Sequence, residues 1–262
     1  MVRVITTRTP PEPPPKGYDA SQFPAFAVTV DVVVLTMHHQ QLHVLLVRRG
    51  QAPFKGKWAI PGGFKLPSET LDQAAARELT EETGVDAAAL LAQFGAYGDP
   101  KRDPRLNVVT IAYLAVLCDV TEIVAGTDAA HAELVPAASV LDGTLPLAFD
   151  HFRIVADAVE RVGRDLEVTR LATAFVGPTF TLAELRAVYE AVWGVQLDSA
   201  NFRRSVAEQN GWVVPTGKRK APGTAGGKPA ELFGAGDAWQ QGGPIRRPRT
   251  TTTRTTTRTL NR

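Results

Sequence analysis

Valine occupies every second position from Val28 to Val34, and this alternation predicts a β-strand with side chains on both faces of a sheet. The polar stretch His38–Gln41 predicts a turn into a second strand, Leu42–Val47. The β-branched and apolar segment Asn107–Cys118 predicts a third strand. Residues 70–83 are rich in alanine with charged residues between, which is the pattern of a helix. The first half of the chain is therefore predicted to be a mixed α/β domain.

The second half begins with helical signals. Thr181 and Glu184 are spaced as a capping box, in which each side chain accepts a hydrogen bond from the backbone of the other residue. A helix over 182–193 follows, with its apolar residues on one face, and Gly194 ends it. The spacing predicts the first helix of a helical pair.

Asp198 or Ser199 caps a second helix, which is expected to reach about Asn210. Two helices joined by so tight a turn form a helix-turn-helix. A basic hairpin broken by glycine and proline is predicted over residues 212–233. Helices and hairpin together predict a winged helix.

Composition divides the chain into segments. Five prolines among residues 1–22 disfavour helix and central strand, and Pro244–Arg262 contains six arginines and eight threonines with almost nothing apolar. The expected segments are a disordered N-terminus (1–22), an α/β domain (23–150), a linker helix (151–166), a winged helix-turn-helix domain (167–234) and a disordered basic tail (235–262).

Charge separates the two halves. Residues 1–150 carry 12 basic and 17 acidic side chains, whereas residues 151–262 carry 17 basic and 10 acidic ones. This asymmetry predicts that the acidic first half binds metal and that the basic second half binds a polyanion. The single cysteine, Cys118, excludes an internal disulfide and is expected to be a buried, inert thiol. With no signal peptide and no membrane-length apolar run, the protein is predicted to be cytoplasmic.

The segment from Gly63 to Val85 carries the candidate chemistry. It contains a glycine, a glutamate six residues later, and then Arg-Glu-Leu-x-Glu-Glu-x-Gly-Val, which matches the Nudix box at nine positions: Gly63, Glu69, Arg77, Glu78, Leu79, Glu81, Glu82, Gly84 and Val85. The resemblance implies a Nudix domain, an α/β/α sandwich with a mixed sheet.

Three carboxylates of the box share one helix face. Glu78, Glu81 and Glu82 are three and four residues apart, so their charges would repel without a cation between them. Hard oxygen ligands suit Mg²⁺ or Mn²⁺, which would neutralise a pyrophosphate and activate water. Arg77 can fix a neighbouring glutamate, and Gly62 and Gly63 allow the loop to fold back. The alternative is a solvated acidic helix face.

The substrate class is indicated by flanking residues. The stretch Pro53–Phe64 and the tripeptide Asp103–Arg105 resemble the ADP-ribose-handling Nudix branch, and Pro100 lies where that branch often has a proline. Arg48, Arg49 and Arg105 are then phosphate-binding candidates, or else surface charges. Hydrolysis often needs a further carboxylate from a late loop; Asp128 and Glu133 are candidates, but no motif singles either out.

Basic residues mark the second helix and the hairpin. Asn201, Arg203 and Arg204 open the helix and are predicted to face a DNA major groove. The hairpin is predicted to grip phosphates as a wing through Lys218, Arg219, Lys220 and Lys228. The alternative is a helical appendage used for dimerisation, its charges merely solvated.

The chain resembles the Nudix-related transcriptional regulator (NrtR) family over residues 25–234. The resemblance rests on the Nudix box, on the segment Leu147–His151 between the two domains, and on the winged helix. The resemblance implies a homodimeric repressor of NAD-metabolism genes that leaves double-stranded operator DNA when ADP-ribose binds. Because the box is intact, a working ADP-ribose pyrophosphatase is the alternative function, and both activities in one protein are a third.

Overall fold

The computed structural model describes residues 15–120, 123–124, 129–207, 211–221, 228–240 and 245–248. Its strands are β1 (Ala27–His38), β2 (Gln41–Arg49), β3 (Trp58–Ala59), β4 (Gly62–Phe64), β5 (Ala92–Tyr97), β6 (Val108–Leu117), β7 (Ala129–Pro136), β8 (Val213–Lys220) and β9 (Ala230–Ala235). Its α-helices are α1 (Leu71–Thr83), α2 (Ala137–Leu141), α3 (His151–Val168), α4 (Leu182–Trp193) and α5 (Ser199–Ala207).

Seven strands form one mixed sheet. The path runs β3-β2-β1-β6-β5, with β4 paired to β1 and β7 paired to β2. β1 and β6 are parallel, with Val30 opposite Ile111, and the other pairs are antiparallel. The three predicted strands are present as β1, β2 and β6, whereas β3, β4, β5 and β7 were not predicted because they are short or only weakly alternating.

The central strand β1 is buried on both faces, because helices cover each side of the sheet. Val30, Val32 and Val34 point into a core beneath α1. Val33 and Leu35 point into a second core on the side of α3. This is the α/β/α sandwich expected of the first domain, and the alternation along the strand serves two cores rather than one core and solvent.

The second core continues into the winged helix without a break. It includes Val33 of the sheet, Val155 and Val162 of α3, and the large side chains Phe175, Phe180, Tyr189, Trp193, Phe202 and Trp212. Trp193 donates a hydrogen bond from Nε1 to the carbonyl of Gly163 on α3, at 2.9 Å. The winged helix is therefore packed on the first domain through α3.

Local signals set the ends of the helices as predicted. Thr70 caps α1 and Thr181 caps α4, each in a reciprocal capping box. Gly84 and Gly194 follow these helices in the left-handed conformation, where a side chain would be strained. Asp198 starts α5, because its carboxylate accepts from the amide of Asn201 at 2.8 Å. The described helix ends at Ala207, and its predicted extension to Asn210 lies outside the described residues.

Three features differ from the sequence predictions. Cys118 is exposed rather than buried, because β6 ends one residue before it. The predicted basic tail includes ordered contacts at its start: Ile245 is buried, and Arg247 pairs with Glu160 of α3 at 3.2 Å. A 3₁₀ turn, Ala20–Gln22, lies within the predicted disordered N-terminus. Residues 1–14 and 249–262 fall outside the described ranges.

Across the described ranges, none of the helices combines the length and the apolar character needed to cross a bilayer.

Candidate ligand pocket and DNA-binding surface

A cavity of about 190 Å³ opens where β1, β4, α1 and the start of α3 meet. Its walls include residues that the sequence assigned to ligand or metal binding, namely Arg48, Arg49, Gly62, Gly63, Glu82 and Arg105. It also contains Asp31, Phe64, Arg102, Asp103, Phe149 and His151, which were not predicted as site residues. The fold thus brings six predicted residues from four separate segments to one place.

Arg77 organises the acidic helix. Its guanidinium donates to both oxygens of Glu69, at 3.0 and 2.8 Å, and also to Glu78 at 2.7 Å and Glu81 at 2.9 Å. The bidentate bond to Arg77 lowers the pKa of Glu69 to about 2. Arg77 therefore holds three of the four carboxylates of the box, as the sequence predicted for a neighbouring glutamate.

The two glycines are required for close approach. Both lie in β4 and neither has a positive φ, so they do not serve the backbone excursion inferred from sequence. A Cβ on Gly62 would collide with the carbonyl of Val30 and the carboxylate of Asp31, and a Cβ on Gly63 would collide with the carboxylate of Glu78. At position 62 only glycine lets β4 lie this close to the backbone of β1, whereas a side chain at position 63 would have to displace the Glu78 carboxylate.

Two carboxylates of the box face the pocket side of α1. Glu82 accepts from the amide of Gly62 at 3.0 Å, and burial raises the pKa of its carboxyl to about 7. Burial also raises the pKa of Glu78. Glu81 instead points outward, with 57% of its side chain exposed. Among the residues described, no three acidic, histidine or cysteine side chains converge as a ready metal cage.

The donor chemistry nevertheless fits a divalent cation. Glu78 and Glu82 are partly desolvated carboxylates four residues apart, and a hard cation between them and a phosphate would relieve their repulsion. The assignment of Glu78, Glu81 and Glu82 as metal ligands stays a prediction.

Calorimetric titration tests this assignment. Glu78→Gln and Glu82→Gln should each weaken Mg²⁺ or Mn²⁺ binding by about 10-fold or more, because each removes a charged oxygen ligand. Asp86→Asn is the matched control, since Asp86 is an exposed carboxylate just beyond the same helix. If both glutamine variants bound the metal with wild-type affinity, the carboxylates of the box would be a solvated acidic surface and not metal ligands.

The predicted phosphate-binding arginines are held by aromatic rings and carbonyls. Arg49 donates to the carbonyl of Pro53 at 2.8 Å and lies over the ring of Phe149 at 4.8 Å. Arg48 lies 5.9 Å from the ring of Trp58. Arg105 pairs with Asp103 at 2.7 Å, so its charge is already partly neutralised.

A buried ionic network forms the floor of the pocket. Arg102 donates to both oxygens of Asp150, at 3.0 and 2.7 Å, and to Asp31 at 3.3 Å. His151 accepts from the amide of Ile60 at Nδ1, which leaves Nε2 protonated, 3.6 Å from Asp31. Burial lowers the pKa of His151, so the ring is neutral. The only sequence signal was the junction Leu147–His151, which contains two of these residues.

Of the two candidate bases for hydrolysis, Glu133 is the one that the structure describes. Glu133 lies on β7, 54% exposed, with its carboxylate 3.1 Å from His131, and it does not line the cavity. Asp128 lies outside the described residues.

The winged helix presents its basic residues to solvent. Asn201, Arg203 and Arg204 are exposed on α5, and Lys218, Arg219 and Lys220 are exposed on β8, with Lys228 just before β9. Two of them contact acidic neighbours: Arg203 lies 3.7 Å from Glu231, and Lys220 lies 2.6 Å from Glu184. The predicted DNA-contacting side chains thus come from one helix and one hairpin that share a core.

The pocket, the acidic helix and the basic hairpin together define the class of protein, which is a Nudix domain joined to a winged-helix DNA-binding domain. Residues 25–158 match the NUDIX domain, and residues 172–234 match the NrtR DNA-binding winged helix domain. The chain belongs to the NrtR family of Nudix-related transcriptional regulators, and it is a homologue of ADPR-responsive transcriptional repressors.

The similarity spans both domains. Over 218 residues the chain is 35% identical to the ADPR responsive transcriptional repressor NtrR of Acinetobacter baylyi, covering 82% of this chain and 84% of that protein. It is also similar to Shewanella oneidensis NrtR crystallised with a 27mer DNA, with 32% identity, a TM-score of 0.71, and coverage of 84% and 99% of the two chains.

A third relative covers the first domain. The NUDIX domain of Shewanella oneidensis NrtR crystallised with ADP ribose is 38% identical, with a TM-score of 0.51, and the match covers 56% of this chain and 94% of that one. The expected fold class and family are confirmed.

Proposed function

We propose that this protein represses transcription from double-stranded DNA and that ADP-ribose, or a related nucleotide, binds in the Nudix pocket and releases it. One observation carries the proposal. The helix α3 begins at His151 in the pocket wall and packs on α4 of the winged helix through the bond between Trp193 and Gly163. Ligand site and DNA-binding surface are therefore joined by one rigid element.

The pocket chemistry supports a diphosphate ligand. Arg48, Arg49 and Glu82 all line the cavity, and Glu78 lies against Gly63. A Mg²⁺ or Mn²⁺ ion bound at the carboxylates would neutralise diphosphate oxygens. The ADP-ribose complex of the related Shewanella domain supports the same assignment.

The DNA partner is proposed to be a roughly palindromic operator bound by a homodimer, among genes of NAD metabolism in the cytoplasm. Large apolar side chains are exposed near the start of β1, and this favours self-association; they are Phe26, Val28, Leu66 and Leu106. Sedimentation would report the oligomeric state, with a monomer at working concentration counting against the dimer.

The deciding experiment is a fluorescence anisotropy titration of the DNA upstream of the gene, with and without ADP-ribose. Specific binding at physiological salt that weakens on adding ADP-ribose is the expected result. Absence of specific binding would remove the repressor proposal. Binding that ADP-ribose leaves unchanged would show that the ligand has been assigned wrongly.

Hydrolysis of ADP-ribose is the second candidate function, favoured by the complete box and by Glu82 in the pocket wall. Water would form a new P–O bond while the bridging P–O bond breaks, yielding AMP and ribose 5-phosphate. With Mg²⁺, Glu82→Gln should lower the rate by at least about 100-fold. Glu133→Gln tests the late carboxylate separately. Binding of ADP-ribose without release of AMP over hours would exclude turnover.

A further inference from the structure

Arg102 lines the ligand pocket and also contacts Asp150, the residue just before α3. It lines the cavity, yet only 4% of its side chain is exposed. Its Nε and Nη2 atoms bond the carboxylates of Asp150 and Asp31. Among the described residues neither aspartate uses Nη1, so this group is left for a ligand that enters the cavity.

Asp150 occupies the N-cap position of α3, but its side chain does not cap the helix. An aspartate at this position normally accepts from the amide of the second or third residue of the helix. Here both of its oxygens are engaged by Arg102, at 3.0 and 2.7 Å. The amide of Arg153 already donates to the main-chain carbonyl of Asp150 at 2.9 Å, which leaves the amide of Phe152 for the side chain. The Asp150 carboxylate therefore has two competing partners, the Arg102 guanidinium and the amide of Phe152.

An anionic ligand would change this competition. One buried cation faces two carboxylates, so the cluster already lacks one positive charge. Phosphate oxygens at Arg102 would repel both aspartates, at close range and away from water. Asp31 is fixed in the central strand β1, with the Nε2 of His151 3.6 Å away, whereas Asp150 can turn to the positive end of α3.

We infer that Arg102 binds the diphosphate of the ligand and so releases Asp150 to cap α3; this inference rests on the proposed function. The altered start of α3 is transmitted through Gly163 and Trp193 to the winged helix, because packed helices move as rigid units. The two states of Asp150 are the element that ligand and DNA bias in opposite directions, as coupling requires.

The test compares Asp150→Asn with wild type in DNA and ADP-ribose titrations. The amide can cap α3 without charge competition, so the variant should resemble the ligand-bound state. Its DNA affinity should fall, its ADP-ribose affinity should rise, and the effect of ADP-ribose on DNA affinity should shrink to less than about 3-fold, against about 5–150-fold for a typical coupling. Loss of folding alone would weaken both affinities.

Asp99→Asn is the matched control. It removes an exposed partner, 2.5 Å from Arg153 in the first turn of the same helix, without touching the pocket. This variant should respond to ADP-ribose as wild type does. An Asp150→Asn protein with an undiminished response, or with both affinities weakened, would overturn the inference. A wild-type protein whose DNA affinity ignores ADP-ribose would overturn the proposed function itself.

Amide hydrogen exchange in wild type gives a measurement that needs no variant. If Asp150 caps α3 on ligand binding, the amide of Phe152 should exchange more slowly with ADP-ribose present. Protection of β4 and the loop over residues 102–105 without any change at the start of α3 would show that the ligand binds but leaves Asp150 in place.

Discussion

Truncation of Trp193 to alanine should lower the free energy of unfolding by about 3–5 kcal/mol. The indole is 3% exposed, packs edge-to-face on Tyr189 at 4.9 Å, and donates to the carbonyl of Gly163. Its removal leaves a cavity between α3 and α4 and removes the hydrogen bond that ties the indole to α3. Urea unfolding followed by circular dichroism measures the change, and a loss under about 1 kcal/mol would contradict it.

Trp193→Phe separates packing from the hydrogen bond. It keeps an aromatic ring against Tyr189 but removes the donor to Gly163, so it should be destabilised by about 1–3 kcal/mol, less than the alanine variant. Because the core runs from the sheet into the winged helix, both domains should unfold in one transition. Two separate transitions, with only the later one shifted, would show that the domains are stabilised independently.

Replacing Arg204 by alanine should weaken binding to the specific operator by about 1–3 kcal/mol if its guanidinium reads a base edge. The same loss is expected for Arg203→Ala, although Arg203 lies 3.7 Å from Glu231 and must leave this carboxylate to contact DNA. Binding to unrelated DNA should change much less. Anisotropy titrations with operator and scrambled duplexes give both affinities.

Substitutions of the basic residues on the wing should have a different effect from those of Arg203 and Arg204 on α5. Lys218→Ala or Arg219→Ala should weaken all sequences similarly and reduce the slope of log affinity against log salt by about 0.9 for each lost phosphate contact. Arg164→Ala is a suitable control, because this exposed arginine lies on α3 outside the winged helix. Equal losses for Arg164 and the wing residues would indicate a general effect of net charge.

Local patterns in the sequence carried much of the site and of the fold. The spacing of Glu78 and Glu82 implies one helix face whatever surrounds it, because an α-helix repeats every 3.6 residues. Capping boxes and terminal glycines define helix ends through bonds between residues three or four apart. These signals place α1 and α4 within a residue of where the structure has them.

Tertiary packing alone decided the floor of the pocket. Arg102 meets Asp31 and Asp150 across 71 and 48 residues of sequence, and single charged residues in strands or loops leave no periodic signal. The glycines of β4 are explained only by what a Cβ would strike. Likewise, burial of Ile245 and exposure of Cys118 depend on which surfaces the fold brings near them.

The sequence by itself thus determined the acidic helix and the helical pair of the winged helix, since hydrogen bonds between near neighbours specify both. Only the tertiary structure decided that α3 starts in the pocket wall and that one core joins the two domains. Contacts between distant residues depend on how whole helices and strands pack. The energy of that packing is distributed over many side chains, so no short segment of sequence specifies it.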